Sequence, residues 1–78
     1  MKLELYYFPS CPFCVRVLDI INELKINDKI QLVNIHEDES AYQKHVQTTG
    51  RATVPCLYID NEPMFESADI VSWLRGQF

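Results

Sequence analysis

The tetrapeptide Cys11-Pro12-Phe13-Cys14 stands where one hydrophobic period gives way to another, and it constrains the fold more than any other stretch. Before it, Leu3, Leu5 and Tyr7 alternate with Lys2, Glu4 and Tyr6, the period-two pattern of a strand ending near Phe8. Pro9 and Ser10 break that run. After it, Val15, Val17, Leu18, Ile20, Ile21 and Leu24 recur at helical spacing, with Arg16, Asp19, Asn22, Glu23 and Lys25 at the other positions. This predicts a helix from about Pro12 to Lys25, with Pro12 in the first turn, where a missing N–H costs little. A thiolate at that helix start faces backbone N–H groups without intrahelical partners and the positive end of the helix dipole, which favours its charged form. Cys11 is the expected nucleophile. Cys14, one turn further in and better shielded, is the expected resolving thiol.

Size and composition narrow the class. With 78 residues the chain is read as one domain, residues 1–78, and 47% apolar content with four Phe, four Tyr and one Trp supplies a core. Three cysteines cannot all pair within the chain, and Met1-Lys2-Leu3-Glu4 lacks the apolar stretch of a signal peptide, so a reducing cytoplasm is the expected location. Net charge is −4 and the seven basic residues are scattered, which argues against nucleic acid. No apolar stretch approaches the roughly 20 residues of a membrane span. Structural zinc takes four ligands, and Cys56, His36 and His45 offer no second close pair. No metal is therefore expected, and the C-x-x-C reads as redox chemistry.

Asn27-Asp28-Lys29 reads as a turn and Ile30 to Ile35 as a second, parallel strand. Ser40 to Thr48 carries a weaker helical signal resting on Ala41, Tyr42 and Val46, with Glu37-Asp38-Glu39 near its start and Thr49-Gly50 at its end. Cys56-Leu57-Tyr58-Ile59, Asp60-Asn61 and Pro63-Met64-Phe65 read as strand, tight turn and return strand. Ser67 is the expected cap of a last helix, Ala68 to Arg75, which turns Ile70, Val71, Trp73 and Leu74 to the sheet and stops at Gly76. His36 and His45 are expected at the solvent, Cys56 buried as a small apolar residue close to Cys11, and Tyr7 either at the thiol groove or in the core.

Strand, Cys11-Pro12-Phe13-Cys14, helix, Thr53-Val54-Pro55, hairpin and Glu66-Ser67-Ala68-Asp69-Ile70 together resemble a glutaredoxin over essentially the whole chain. The second half is also similar to the glutathione-binding domain of glutathione transferases and of transferase-like glutaredoxins. The resemblance implies a thioredoxin-like α/β fold, βαβαββα, with a four-stranded mixed sheet flanked by three helices. It implies a cis Pro55 across from the cysteines and a Val54 backbone that pairs with the cysteine of glutathione. Ser67, with Asp69 or Glu66, would hold the γ-glutamyl end, and Phe13, Arg51 and Thr53 would complete the glutathione contacts. Two positions depart from the family pattern: Phe8 stands where many members carry lysine, leaving Arg16 and Arg51 as local cations, and Phe65-Glu66 replaces the usual glycine pair.

The activity so implied is glutathione-dependent reduction of protein–glutathione mixed disulfides and protein disulfides by a monomer. Cys11 and Cys14 would form the redox-active disulfide, and glutathione would serve as co-substrate with no tightly bound cofactor. Two other functions fit a C-x-x-C domain of this kind. One is an iron–sulfur carrier using Cys11 and glutathione, against which Pro12 speaks because such members usually have Gly there. The other is an electron donor served by a thioredoxin reductase.

Overall fold

A computed structural model describes residues 1–78 as β1 (Leu3–Tyr7), α1 (Pro12–Glu23), β2 (Gln31–Asn34), α2 (Glu39–Thr49), β3 (Cys56–Ile59), β4 (Glu62–Met64) and α3 (Ser67–Gln77). The strands form one sheet in the order β2-β1-β3-β4. β1 runs parallel to β2 and antiparallel to β3, and β3 pairs antiparallel with β4. The expected thioredoxin-like architecture is therefore present, a mixed four-stranded sheet with three helices.

The alternation in β1 resolves into two buried faces, each packed in its own apolar cluster. Leu3 and Leu5 pack with Val17, Ile21, Leu57, Ile70 and Leu74, where α1 and α3 cover the sheet. Tyr7, half-buried, leans on the same cluster and so belongs to the core. Tyr6 points the other way and packs with Ile35, Ala41, Cys56 and Tyr58 beneath α2. Burying side chains such as Ile70 and Leu74 contributes about 1.5–3 kcal/mol each, which makes the face under α1 and α3 the main apolar reservoir.

Local chemistry sets the ends of the elements. The first helix stops two residues before the expected Lys25: Lys25 takes a left-handed conformation (φ 57°) and donates its N–H to the Asn22 carbonyl, while Ile26 donates to that of Ile21. This double bond pattern closes the helix and brings Ile26 onto Ile21 in the core. In α2, Asp38 is the N-cap. Its carboxylate accepts from the Ala41 N–H at 3.0 Å and the Ser40 hydroxyl at 2.9 Å, and the Ala41 bond holds its pKa below the ordinary value. Gly50 ends α2 at φ 77°, a conformation other residues adopt at a cost. Asp60 and Asn61 both have positive φ in the β3–β4 turn, and Asp60 exchanges hydrogen bonds with the Lys2 backbone at 2.7 and 2.8 Å. The return strand begins at Glu62, so Pro63 sits within an edge strand, where a missing N–H is tolerated.

The last helix corrects two expectations. Ser67 is not its cap: Glu66 holds that position without a side-chain cap bond, and Ser67 is already helical and buried. Gly76 does not stop it, because Gly76 lacks a positive φ and the helix continues to Gln77, with the Phe78 N–H bonded to the Leu74 carbonyl at 3.0 Å. The expected solvent exposure of His45 also fails. Its side chain lies inside the α2 face at 0% exposure, because Ala41 and His45 fall four apart on the inward stripe of the helix.

Candidate active site

Cys11 is the residue through which the chain turns into α1. Its backbone is extended (φ −82°, ψ 118°), its N–H donates to the Phe8 carbonyl at 3.2 Å, and its carbonyl accepts from Val15 at 2.9 Å. That leaves Cys11 as the N-cap, and its Sγ accepts from the Cys14 N–H at 3.3 Å. A sulfur in this position has its negative charge met by an otherwise unpartnered backbone donor and by the helix dipole. On its other side Cys11 Sγ lies 3.9 Å from the Val54 carbonyl oxygen. Both cysteines are free thiols; Cys11 keeps 6% exposure and Cys14 none.

The two thiols differ in character. Burial pushes Cys14 up to about 12, helped by its hydrogen bond with Cys11 and partly offset by the Phe8 backbone. Cys14 therefore stays protonated across the physiological range. Cys56 is also buried, as expected, and is pushed up to about 11 by desolvation.

Residues 51–55 bring the second half of the chain to Cys11. The Val54–Pro55 bond is cis, Pro55 is buried, and Thr53 is exposed. No hydrogen bond within the chain uses the Val54 N–H, so that backbone is open for pairing with an extended ligand. Arg51 lies over the Phe65 ring, 3.8 Å from its centroid, and its Nη2 is 3.8 Å from Glu66 Oε1. These contacts join the segment before Pro55 to the entrance of α3. Glu66 and Asp69 are exposed there, whereas Ser67 is buried.

Phe13 is 62% exposed between the two cysteines in sequence, and Arg16 is exposed one turn further along α1. Phe8 stacks on His36, ring centroids 4.3 Å apart and 10° from coplanar, so the position that often carries lysine holds an aromatic pair instead. The residue the sequence reading missed is His45. Its Nδ1 lies 2.7 Å from the Tyr58 hydroxyl and its Nε2 2.8 Å from the Thr53 carbonyl oxygen, next to the cis bond. The sequence carries a signal for it: His45 shares a helical stripe with Ala41, Tyr42 and Val46, the residues that predict α2.

The glutaredoxin family model matches residues 3–64, from β1 through β4. The chain belongs to the glutaredoxin family. A glutaredoxin of Haemophilus influenzae is 28% identical over all of this chain and 95% of its own length. A chloroplastic glutaredoxin-C4 of Oryza sativa is 31% identical over 85% of this chain, which spans only about half of that protein (50%). Among solved structures, glutaredoxin 2 of Salmonella typhimurium, in complex with glutathione, superposes with a TM-score of 0.80 at 26% identity, covering 97% of this chain and 34% of its own. A trimeric glutathione transferase of Leishmania does so with a TM-score of 0.78 at 33% identity, covering 97% and 17%. The two-sided resemblance seen in the sequence, to glutaredoxins and to transferase-like proteins, is thus present in three dimensions. In family terms Cys11-Pro12-Phe13-Cys14 lies inside the matched span, and Glu66, Ser67 and Asp69 lie beyond it.

Proposed function

We propose that this glutaredoxin-family chain is a glutathione-dependent thiol–disulfide oxidoreductase acting, as a monomer in the cytoplasm, on protein–glutathione mixed disulfides and protein disulfides. The observation that carries the reading is the setting of Cys11 Sγ, 3.3 Å from the Cys14 N–H and 3.9 Å from the Val54 carbonyl. The first contact stabilises a sulfur anion. The second, an S–H donated to a carbonyl while Cys11 is a thiol, sets the sulfur beside a backbone edge able to align the cysteine of glutathione antiparallel to Val54.

In the first reaction the Cys11 thiolate attacks the glutathione sulfur of a mixed disulfide. The protein leaves as a thiolate and takes a proton, and Cys11 becomes glutathionylated. A second glutathione thiolate attacks the same glutathione sulfur, oxidised glutathione leaves, and the Cys11 thiolate is restored. Arg51, Thr53, Val54 and Pro55 would line one side of glutathione, and Ser67 with Glu66 or Asp69 would take its γ-glutamyl end at the start of α3. Phe13 would cover the thiol side.

With a protein disulfide, attack by Cys11 leaves a mixed disulfide that Cys14 resolves by displacing the substrate thiolate and closing the Cys11–Cys14 disulfide; two glutathiones then reduce it. Part of the upward push on Cys14 comes from its hydrogen bond and charge interaction with Cys11. A Cys11 tied up in a mixed disulfide carries no charge, so Cys14 ionises more readily at the step that needs it. The test is turnover of a glutathionylated peptide and of a disulfide-bonded protein by wild type, Cys11→Ser and Cys14→Ser. Cys11→Ser is expected to lose both activities and Cys14→Ser only the second. A folded Cys14→Ser that also lost deglutathionylation would refute the division of roles.

A further inference from the structure

Between Gly50, the end of α2, and Cys56, the first residue of β3, the chain has no place in the sheet, and its backbone makes no hydrogen bond to another backbone group. Side chains hold it instead. Thr49 Oγ1 lies 2.8 Å from the Arg51 carbonyl oxygen and accepts from the Arg51 N–H at 3.2 Å. The next tether is His45. Its ring is fully buried among Tyr6, Tyr58 and Phe65, with centroids 5.5, 5.8 and 5.8 Å away, and both ring nitrogens have partners.

The partners define the tautomer. A carbonyl oxygen only accepts, so Nε2, 2.8 Å from the Thr53 carbonyl, carries the hydrogen and donates it. In the neutral imidazole Nδ1 is then bare and accepts the hydroxyl hydrogen of Tyr58 at 2.7 Å. A line of hydrogen bonds therefore runs from β3 through the interior of the α2 face to the carbonyl just before Val54.

We infer that His45 is a positioning residue for glutathione: its Nε2–H holds the Thr53 carbonyl so that the free Val54 N–H and the Val54 carbonyl face Cys11 in register. This rests on the proposed glutathione-dependent activity. A peptide unit is planar, so fixing the Thr53 carbonyl also fixes the Val54 N–H that belongs to the same unit. Without the tether, that N–H would turn before each binding event and glutathione would meet a less ordered edge. His45 touches neither the reacting sulfurs nor, in this reading, the ligand. Tyr58 orients the imidazole and stabilises it, but Thr53 remains held without it.

Three variants separate positioning from mere support. His45→Gln places an amide N–H near the Nε2 position, His45→Asn reaches only the Nδ1 position, and Tyr58→Phe removes the hydroxyl while leaving the Nε2 bond. In deglutathionylation assays the KM for glutathione is expected to rise about fivefold in His45→Asn, the factor carried by one net hydrogen bond, with kcat little changed. His45→Gln should return it toward wild type. Tyr58→Phe should lower Tm without that rise. Equal KM changes in His45→Asn and Tyr58→Phe, or no recovery in His45→Gln, would reduce His45 to a core residue and overturn the inference. Imidazole 15N shifts of the wild-type protein give a readout independent of turnover and of variant folding. The Nε2–H tautomer is required, and the Nδ1–H tautomer would refute the tether even if glutathione proved a substrate. Absence of wild-type turnover with glutathione, beside the Nε2–H tautomer, would instead overturn the functional reading and the inferred role together while leaving the tether itself standing.

Discussion

The two faces of the sheet are built from different materials. Under α1 and α3 the buried centre is aliphatic: Leu3, Leu5, Val17, Ile21, Leu57, Ile70 and Leu74 fill it with no polar group among them, and Tyr7 and Trp73 pack only at its margin. Under α2 it is aromatic and hydrogen-bonded, with Tyr6, Tyr58, His45 and Cys56 buried side by side. The first face supplies non-directional burial, which holds the sheet but fixes few orientations. The second supplies bonds with direction, and it is the one that reaches the segment opposite Cys11, through His45 and Thr53. The helix bearing the cysteines rests on one face, and the segment that would align glutathione is oriented from the other.

Substitutions should expose that difference, most strongly on the aliphatic side. Ile70→Ala removes a fully buried side chain between α3 and the sheet and is expected to cost about 2–5 kcal/mol in urea unfolding. The KM for glutathione of the molecules that remain folded should be unaltered. A comparable stability loss in Tyr58→Phe, where one hydrogen bond worth about 1 kcal/mol is at stake, would erase the contrast.

Alkaline pH attacks the other face. Tyr6, Cys56 and Tyr58 all hold their protons more tightly than usual, chiefly because they are buried. The ordinary value for Cys56 is 9.0 and its folded value about 11, so within that window the unfolded chain has lost the proton while the folded chain keeps it. More protons on the folded state means stability falls as pH rises through this range. Cys14, raised to about 12, adds a decline of the same sign, as do the two tyrosines. Cys56→Ala should make the fall in Tm between pH 9 and 11 shallower, and an unchanged slope would remove Cys56 from the account.

The smallest effect is expected at the surface link between the helices of the aliphatic face. Arg75 Nη2 lies 3.3 Å from Glu23 Oε2, with the two side chains 49% and 59% exposed. Arg75→Ala should shift stability by no more than about 1 kcal/mol, because solvent and salt screen such a pair. A larger shift would show that α1 and α3 depend on charge as well as on apolar contact.

How far each face was legible in the sequence follows from the same contrast. The aliphatic face is written as periodicity. Period two in Leu3-Leu5-Tyr7 and helical spacing from Val17 to Ile21 and from Ile70 to Leu74 locate β1, α1 and α3 without reference to any other part of the chain. The boundary errors came from capping that depends on conformation. Lys25 in a left-handed turn and Gly76 inside a helix both go against the residue preferences that sequence reading uses.

The sequence by itself determined the strand-to-helix junction at which Cys11 stands, the inward place of Cys14 and the family to which the chain belongs. These rest on local order, since hydrophobic period, proline placement and motif spacing act within a few residues of one another. Tertiary structure alone decided that β1 is covered on both sides, that Ser67 lies inside α3 rather than capping it, and that His45 is a buried tether rather than a solvated helix residue. The first and the last of those depend on partners distant in the chain. A histidine's environment is set by whether a hydroxyl and a carbonyl meet its two nitrogens, and Tyr58 and Thr53 reach His45 only after β3 has paired with β1 and α2 has closed over them.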